Sequence, residues 1–76
     1  MKLTSEEIQK FASRKGVRKI AVENFLGTID TDYDTRVGCI MNCHMDAELY
    51  KWNRPTVIAI ESGIRALFDK ASEHRK

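Results

Sequence analysis

The sequence predicts an all-α protein, a compact bundle of about four short helices forming one domain over residues 1–76. Three observations predict it. Apolar residues recur at spacings of three and four, which stacks them on one side of a helix. Capping residues stand before those runs, and turn residues come after them. The composition, 42% hydrophobic with one proline, suits a globular chain rather than a disordered one.

The first helix starts at Thr4, a capping side chain, and Glu7 completes a capping box. Leu3 and Ile8 stand where a hydrophobic staple forms. Ile8, Phe11 and Ala12 make its apolar face. Lys15-Gly16 stops it, because Gly16 can turn left-handed. The second helix runs from about Val17 to about Ile29. Ala21, Val22, Phe25, Leu26 and Ile29 cover one broad side, and Ile20 projects away as a contact residue. Arg18 and Lys19 lie in its first turn, the unfavourable end of the helix dipole for cations. Asp30 to Thr35 is a turn, since Asp and Thr favour side-chain-to-backbone bonds over helix. Asp32 or Asp34 is expected to cap the third helix.

The third helical segment runs from about Thr35 to Lys51. Val37, Ile40, Met41, Met45 and Trp52 fall on one side, with His44 and Glu48 among them. Cys39, Cys43, Ala47 and Tyr50 form a second ridge. A helix with two apolar sides lies centrally or shows one side to a partner. Gly38 and Asn42 weaken its first half, which allows a break near Asn42. The fourth helix is the clearest. Asn53 caps it, and Pro55 stands in the first turn, where its missing N–H is not needed. Val57, Ile60, Ile64, Leu67, Phe68 and Ala71 form its stripe, and it runs to a frayed end over Glu73–Lys76. The expected core is Ile8, Phe11, Val22, Phe25, Leu26, Ile40, Met41, Met45, Trp52, Val57, Ile60, Ile64, Leu67 and Phe68. Trp52 is expected to be largely buried near Val57 and Met41 or Met45. Short loops make sequential helices neighbours.

A chain this short buries only about 60% of its unfolded surface, so self-association or a partner would add stability. No apolar run approaches the roughly 20 residues of a membrane span. The start MKLTSEEIQKF has no apolar signal region, so a cytoplasmic location is expected. Cys39 and Cys43 lie one helical turn apart and make a poor staple, so reduced thiols are expected. Net charge is +2, arranged in blocks. Residues 1–20 hold six Lys/Arg against two Glu, residues 23–48 six acids against Arg36, and residues 49–76 six bases against three acids. Partial neutralisation between blocks is the expectation, since the net charge is too small for a purely electrostatic nucleic-acid binder.

Cys39, Cys43 and His44, with His74 far away, lack the converging second pair that zinc needs, and core thiols fit better. His44 and Glu48 have acid–base chemistry but no nucleophile beside them. Asp30, Asp32 and Asp34 begin like a calcium loop. Thr35 stands where the glycine belongs, and Met41 where the last glutamate belongs. No glycine-rich phosphate loop or carboxylate dyad occurs. The expectation is a protein that is not an enzyme and uses no cofactor or metal. Arg14, Lys15, Arg18 and Lys19 form the densest basic cluster. It either meets phosphates or is a solvated turn facing the aspartates.

Residues Ala47 to Arg65, AELYKWNRPTVIAIESGIR, resemble the helix-turn-helix of phage-repressor-like DNA-binding proteins. Ala47 takes the alanine place in the first helix, Trp52 the apolar place after the turn, and Val57, Ile60, Glu61 and Gly63 the recognition-helix pattern. The resemblance implies that Asn53, Arg54, Ile58 and Ala59 face the major groove. Lys51 stands where the turn glycine belongs, and Asp46 at a normally buried place. Ile58 and Ala59 offer base edges no hydrogen bonds, leaving Arg54 as the strong base reader. A broader resemblance is carried by Lys15 to Leu26 and Met45 to Ile60. These segments look like those of small all-helical accessory proteins of phages and conjugative elements. That resemblance implies docking on a host protein complex to modulate or inhibit it.

The leading expectation is thus a binding protein with a protein partner, contacting it through Ile20, Tyr33, Cys43 and Tyr50. The alternative is a DNA-binding regulator using Asn53, Arg54, Arg14, Lys15, Arg18 and Lys19. Two-fold operators would then require a homo-oligomer.

Overall fold

The computed structural model describes residues 1–74, which form four helices and no strand. They are α1 (Ser5–Ala12), α2 (Lys19–Gly27), α3 (Arg36–Leu49) and α4 (Arg54–His74). The expected fraying at the C-terminal end falls partly on Arg75 and Lys76, outside the described residues.

Local chemistry sets most boundaries. The Thr4 hydroxyl accepts from the Glu7 N–H at 3.2 Å, and the Glu7 carboxylate accepts from the Thr4 N–H at 2.8 Å. This is the capping box expected for α1. Gly16, at φ 79°, closes the turn after α1 rather than the helix itself. Helix α2 is shorter than the expected span, and Arg18 at its cap position has no capping side chain. The Arg18 N–H donates instead to Thr56 Oγ1 on α4, at 2.9 Å. Thr35 caps α3 by accepting from the Gly38 N–H at 3.1 Å, a correction to the choice of Asp32 or Asp34. Asp34 is occupied inside its own turn, accepting from the Asp30 N–H at 2.9 Å. Helix α3 runs unbroken through Asn42. It closes with Lys51 at φ 56° and a Trp52 N–H bond to the Ala47 carbonyl at 2.9 Å. That is the Schellman pattern with lysine in the left-handed place usually held by glycine. Asn53 caps α4, its Oδ1 accepting from the Thr56 N–H at 3.4 Å.

Helix α4 packs against all three others, and α1 packs on α2. The consecutive helices α2 and α3 scarcely touch, contrary to the expectation that sequential helices are neighbours. The connection through residues 28–35 is long enough to carry α3 to another flank of α4. The helices alternate in direction. One end of the bundle joins Gly16 to Asn53 and Arg18 to Tyr50 and Thr56. The other joins Met1 to Asp30 and Glu7 to Lys70.

Val22, Leu26, Ile60, Ile64 and Leu67 are fully buried, as their periodicity requires. Ile8, Phe11, Phe25, Ile40, Trp52, Val57 and Phe68 pack at the core's margin, half-buried. Leu3, Ala12, Ile29, Cys39, Cys43, Thr56 and Ala59 join the core. Met41 and Met45, expected inside, are 59% and 64% exposed. Helix α3 therefore lies on α4 by its cysteine ridge, with its methionine ridge outward. The small thiols permit close helix–helix approach that long methionine side chains would hold apart.

Candidate protein-docking surface

Because α2 and α3 stand apart, a cleft of about 680 Å³ opens between them, running along α2 from Arg18, at one end of the bundle, to Thr28. Ile20, Ala21 and Phe25 line it from α2, and Asp46, Tyr50 and Trp52 from the other side. Its floor is aromatic. Trp52 meets Phe25 edge-on at 6.0 Å and stacks on Tyr50 at 6.1 Å, both favourable geometries for aromatic pairs. At the rim, Arg18 Nη1 donates to the Tyr50 carbonyl at 3.1 Å, satisfying an acceptor just past the end of α3. Trp52 thus packs against Phe25 and Tyr50, and Met41 and Met45, its expected neighbours, face outward.

The same end gathers cations. The bond from Asn53 Nδ2 to the Gly16 carbonyl, 2.7 Å, ties the α1–α2 loop to the start of α4. Arg14, Lys15, Arg18 and Lys19 are thereby placed beside Lys51 and Arg54. All six are exposed, and none forms an ion pair among the described residues. The aspartates sit at the opposite end. Asp30 and Asp32 hold the Met1 ammonium at 2.8 and 3.4 Å. That ammonium holds the Asp30 carboxyl below its ordinary range, and Asp30 raises the ammonium in return. Lys2 also acts on Asp30, so the blocks of charge neutralise one another in part at this end, as expected, while the six cations at the other end form no ion pair among the described residues. His44 Nε2 bonds Glu61 on α4 at 3.0 Å, rather than Glu48 on its own helix.

Of the four expected protein contacts, Ile20 and Tyr50 come together at the cleft, 71% and 58% exposed. Tyr33, 87% exposed, lies in the acidic turn, away from them. Cys43 is corrected: it is fully buried and cannot touch a partner. Burial pushes its thiol up to about 11, and that of Cys39 upward too. Among the expected DNA contacts, Arg54, Arg14, Lys15, Arg18 and Lys19 are exposed together. The Arg14 guanidinium lies 5.1 Å from the Phe11 ring. Asn53 is corrected, since both ends of its amide are engaged, with Gly16 and with Thr56. Ala59, implied to face a groove, is fully buried.

Comparison with protein-family models, curated proteins and solved structures finds no match to this chain. Its own geometry therefore carries the functional reading. Sequence reasoning missed Phe25 and Trp52 as cleft residues, and the outward row Val37, Met41, Met45 and Leu49, 59–70% exposed. One signal pointed to that row. Cysteine is among the most buried residue types, so the ridge holding Cys39 and Cys43 was the better candidate for the inside.

Proposed function

We propose that this chain is a small protein-binding module that takes an apolar side chain from an acidic partner surface into the α2–α3 cleft. One observation carries the reading. Ile20 and Tyr50, distant in sequence, stand exposed at one cleft lined by Phe25 and Trp52, with Arg18 and Asp46 its charged lining residues and the exposed cations of the α1–α2 loop joined to its Arg18 end. Aromatic residues in a recess are where binding energy concentrates. Unpaired rim cations steer an acidic partner and make association salt-sensitive. The resemblance to accessory proteins of phages and conjugative elements supports a host complex as target, modulated or inhibited by being covered. A cytoplasmic setting suits the free thiols of Cys39 and Cys43. No helix among the described residues is long and apolar enough to cross a membrane.

A photo-crosslinker at Ile20, with one at exposed Asp69 as control, tests this in the native host. The expected result is a defined protein captured from Ile20 alone. Its purified form then binds the wild type at least about tenfold more tightly than Ile20→Asp, a difference of about 1.4 kcal/mol. Identical capture from both positions overturns the reading.

The cationic end favours a second reading, a helix-turn-helix DNA-binding regulator. Arg54 stands in the first turn of α4 among five other cations, and Lys51 takes the left-handed turn that precedes it. A gel-shift titration on DNA upstream of its own gene separates the two. Specific retention lost in Arg54→Ala supports regulation; weak, sequence-blind binding abolished by salt is incidental charge.

A further inference from the structure

Resting on the docking role of the cleft, we propose that the segment it takes is not acidic throughout: beside its apolar anchor it carries an acid towards Arg18 and a base towards Asp46. A second cavity, of about 200 Å³, continues the cleft, and the two share Phe25, Thr28 and Asp46. Together they make one groove between α2 and α3. Its charged lining residues are Arg18, Asp46 and Asp34. These three are ordered along it. The Arg18–Tyr50 bond marks one end. Asp46 stands one turn before Tyr50 on α3, about 6 Å back along the helix axis. Asp34, ahead of the start of α3, lies at the far end with Asn42 and Ile29. The Phe25–Trp52 pair lines the larger cavity together with Arg18 and Asp46 and receives the anchor.

Asp46 is what calls for the base. It is half-buried, lines both cavities and forms no ion pair among the described residues. A carboxylate in a recess repels an acid brought beside it and attracts a base. Asp34 repeats that sign at the far end, with one carboxylate oxygen accepting from the Asp30 N–H at 2.9 Å. Arg18 calls for the acid. One guanidinium nitrogen holds the Tyr50 carbonyl, which fixes the group at the groove's end and leaves its other N–H donors without an ion pair. From Arg18 to Thr28 the groove follows α2 for about 15 Å, which an extended peptide crosses in about five residues. The acid and the base therefore stand within about that distance of each other, with the anchor between them. A wholly acidic segment would meet Arg18 and be repelled at Asp46, and a wholly basic one the reverse.

Short random peptides displayed on phage and selected on the full chain test this. The expected result is a set with an aromatic or aliphatic anchor, Asp or Glu on one side of it and Lys or Arg on the other. The tightest of them, made as a free fluorescent peptide, should be released by Ile20→Asp. Replacing its base by Gln should weaken binding to the wild type about two- to fivefold and leave binding to Asp46→Asn unchanged, the signature of a direct pair. Its acid should couple to Arg18→Gln in the same way. Peptides that Ile20→Asp releases but whose anchors are flanked only by acids overturn this inference and leave the docking role standing. So does a base whose loss costs as much in Asp46→Asn as in the wild type, or an acid whose loss costs as much in Arg18→Gln. Peptides that Ile20→Asp does not release, or a selection that yields none, overturn both.

Discussion

Gly63 and Leu26 meet where α4 crosses α2: a β-carbon on Gly63 would clash with Leu26 Cδ1 and lie 2.8 Å from its Cδ2. Leu26 is fully buried, so its side chain can give way only against the other core side chains packed around it. Gly63→Ala should therefore destabilise the fold by about 1–3 kcal/mol through overpacking. The helix propensity gained, about 1 kcal/mol, offsets only part of that. Gly27, with nothing within 4 Å of its added carbon, is the control. Gly27→Ala should stabilise by about 0.5–1 kcal/mol. Urea denaturation of both variants measures the two shifts, and a common sign would show that the helices are not in tight contact at Gly63.

Lys51 holds a left-handed conformation that costs a residue with a β-carbon about 1–2 kcal/mol. Lys51→Gly removes that cost but adds freedom to the unfolded chain. The net gain should be about 0.5–1 kcal/mol. In a domain of this size that raises Tm by roughly 2–8 °C. Lys51→Ala keeps the strain and should leave Tm near the wild type.

Trp52 is half-buried, between the Phe25 edge and the Tyr50 face. Its truncation should cost about 2 kcal/mol, below the 3–5 kcal/mol of a fully buried aromatic. Trp52→Phe keeps one aromatic contact and should recover about half of the loss. If Trp52→Ala melts with the wild type, the aromatic floor contributes nothing to the fold.

Glu7 is held at a pKa of about 2, first by the Lys70 ammonium at 2.7 Å and then by the Thr4 N–H. A folded pKa below the unfolded value means that the unfolded chain binds the proton first. The stabilisation is therefore complete above the ordinary value of 4.5 and is lost as pH falls towards about 2. Denaturant midpoints measured across that window should fall more steeply for the wild type than for Glu7→Gln. Parallel profiles would remove Glu7 from the account of acid stability.

Cys39 and Cys43 are buried, and burial raises both thiols. At pH 8 the native chain should react with a thiol reagent far more slowly than the urea-unfolded chain, since only the thiolate attacks. Rapid native labelling of two thiols would mean that α3 detaches from α4 readily.

Much of the fold is legible in the residues because caps and periodicity are local. Thr4 with Glu7, Asn53 before Pro55, and the stripe from Ile60 to Leu67 each need only their own segment to act. The candidate site was half legible. Ile20 could be seen leaving the apolar side of its helix, and Tyr50 could be seen on a second ridge. Nothing in either segment says that the two meet. The cleft also depends on α2 and α3 failing to pack, which is a property of the pair.

The sequence by itself determined four helices, the caps that open α1 and α4, and that α4 carries the stripe the others cover. These features arise from hydrogen bonds and side-chain spacing within a turn or two. Only the tertiary structure decided which ridge of α3 went inside, because both ridges are apolar and hydrophobicity alone does not rank them. Close approach to α4 favoured the small side chains of Cys39 and Cys43 and turned Met41 and Met45 outward. Tertiary structure likewise decided that the basic loop joins Lys51 and Arg54 rather than the aspartates. The Asn53–Gly16 and Thr56–Arg18 bonds, across 37 and 38 residues, set that end of the bundle.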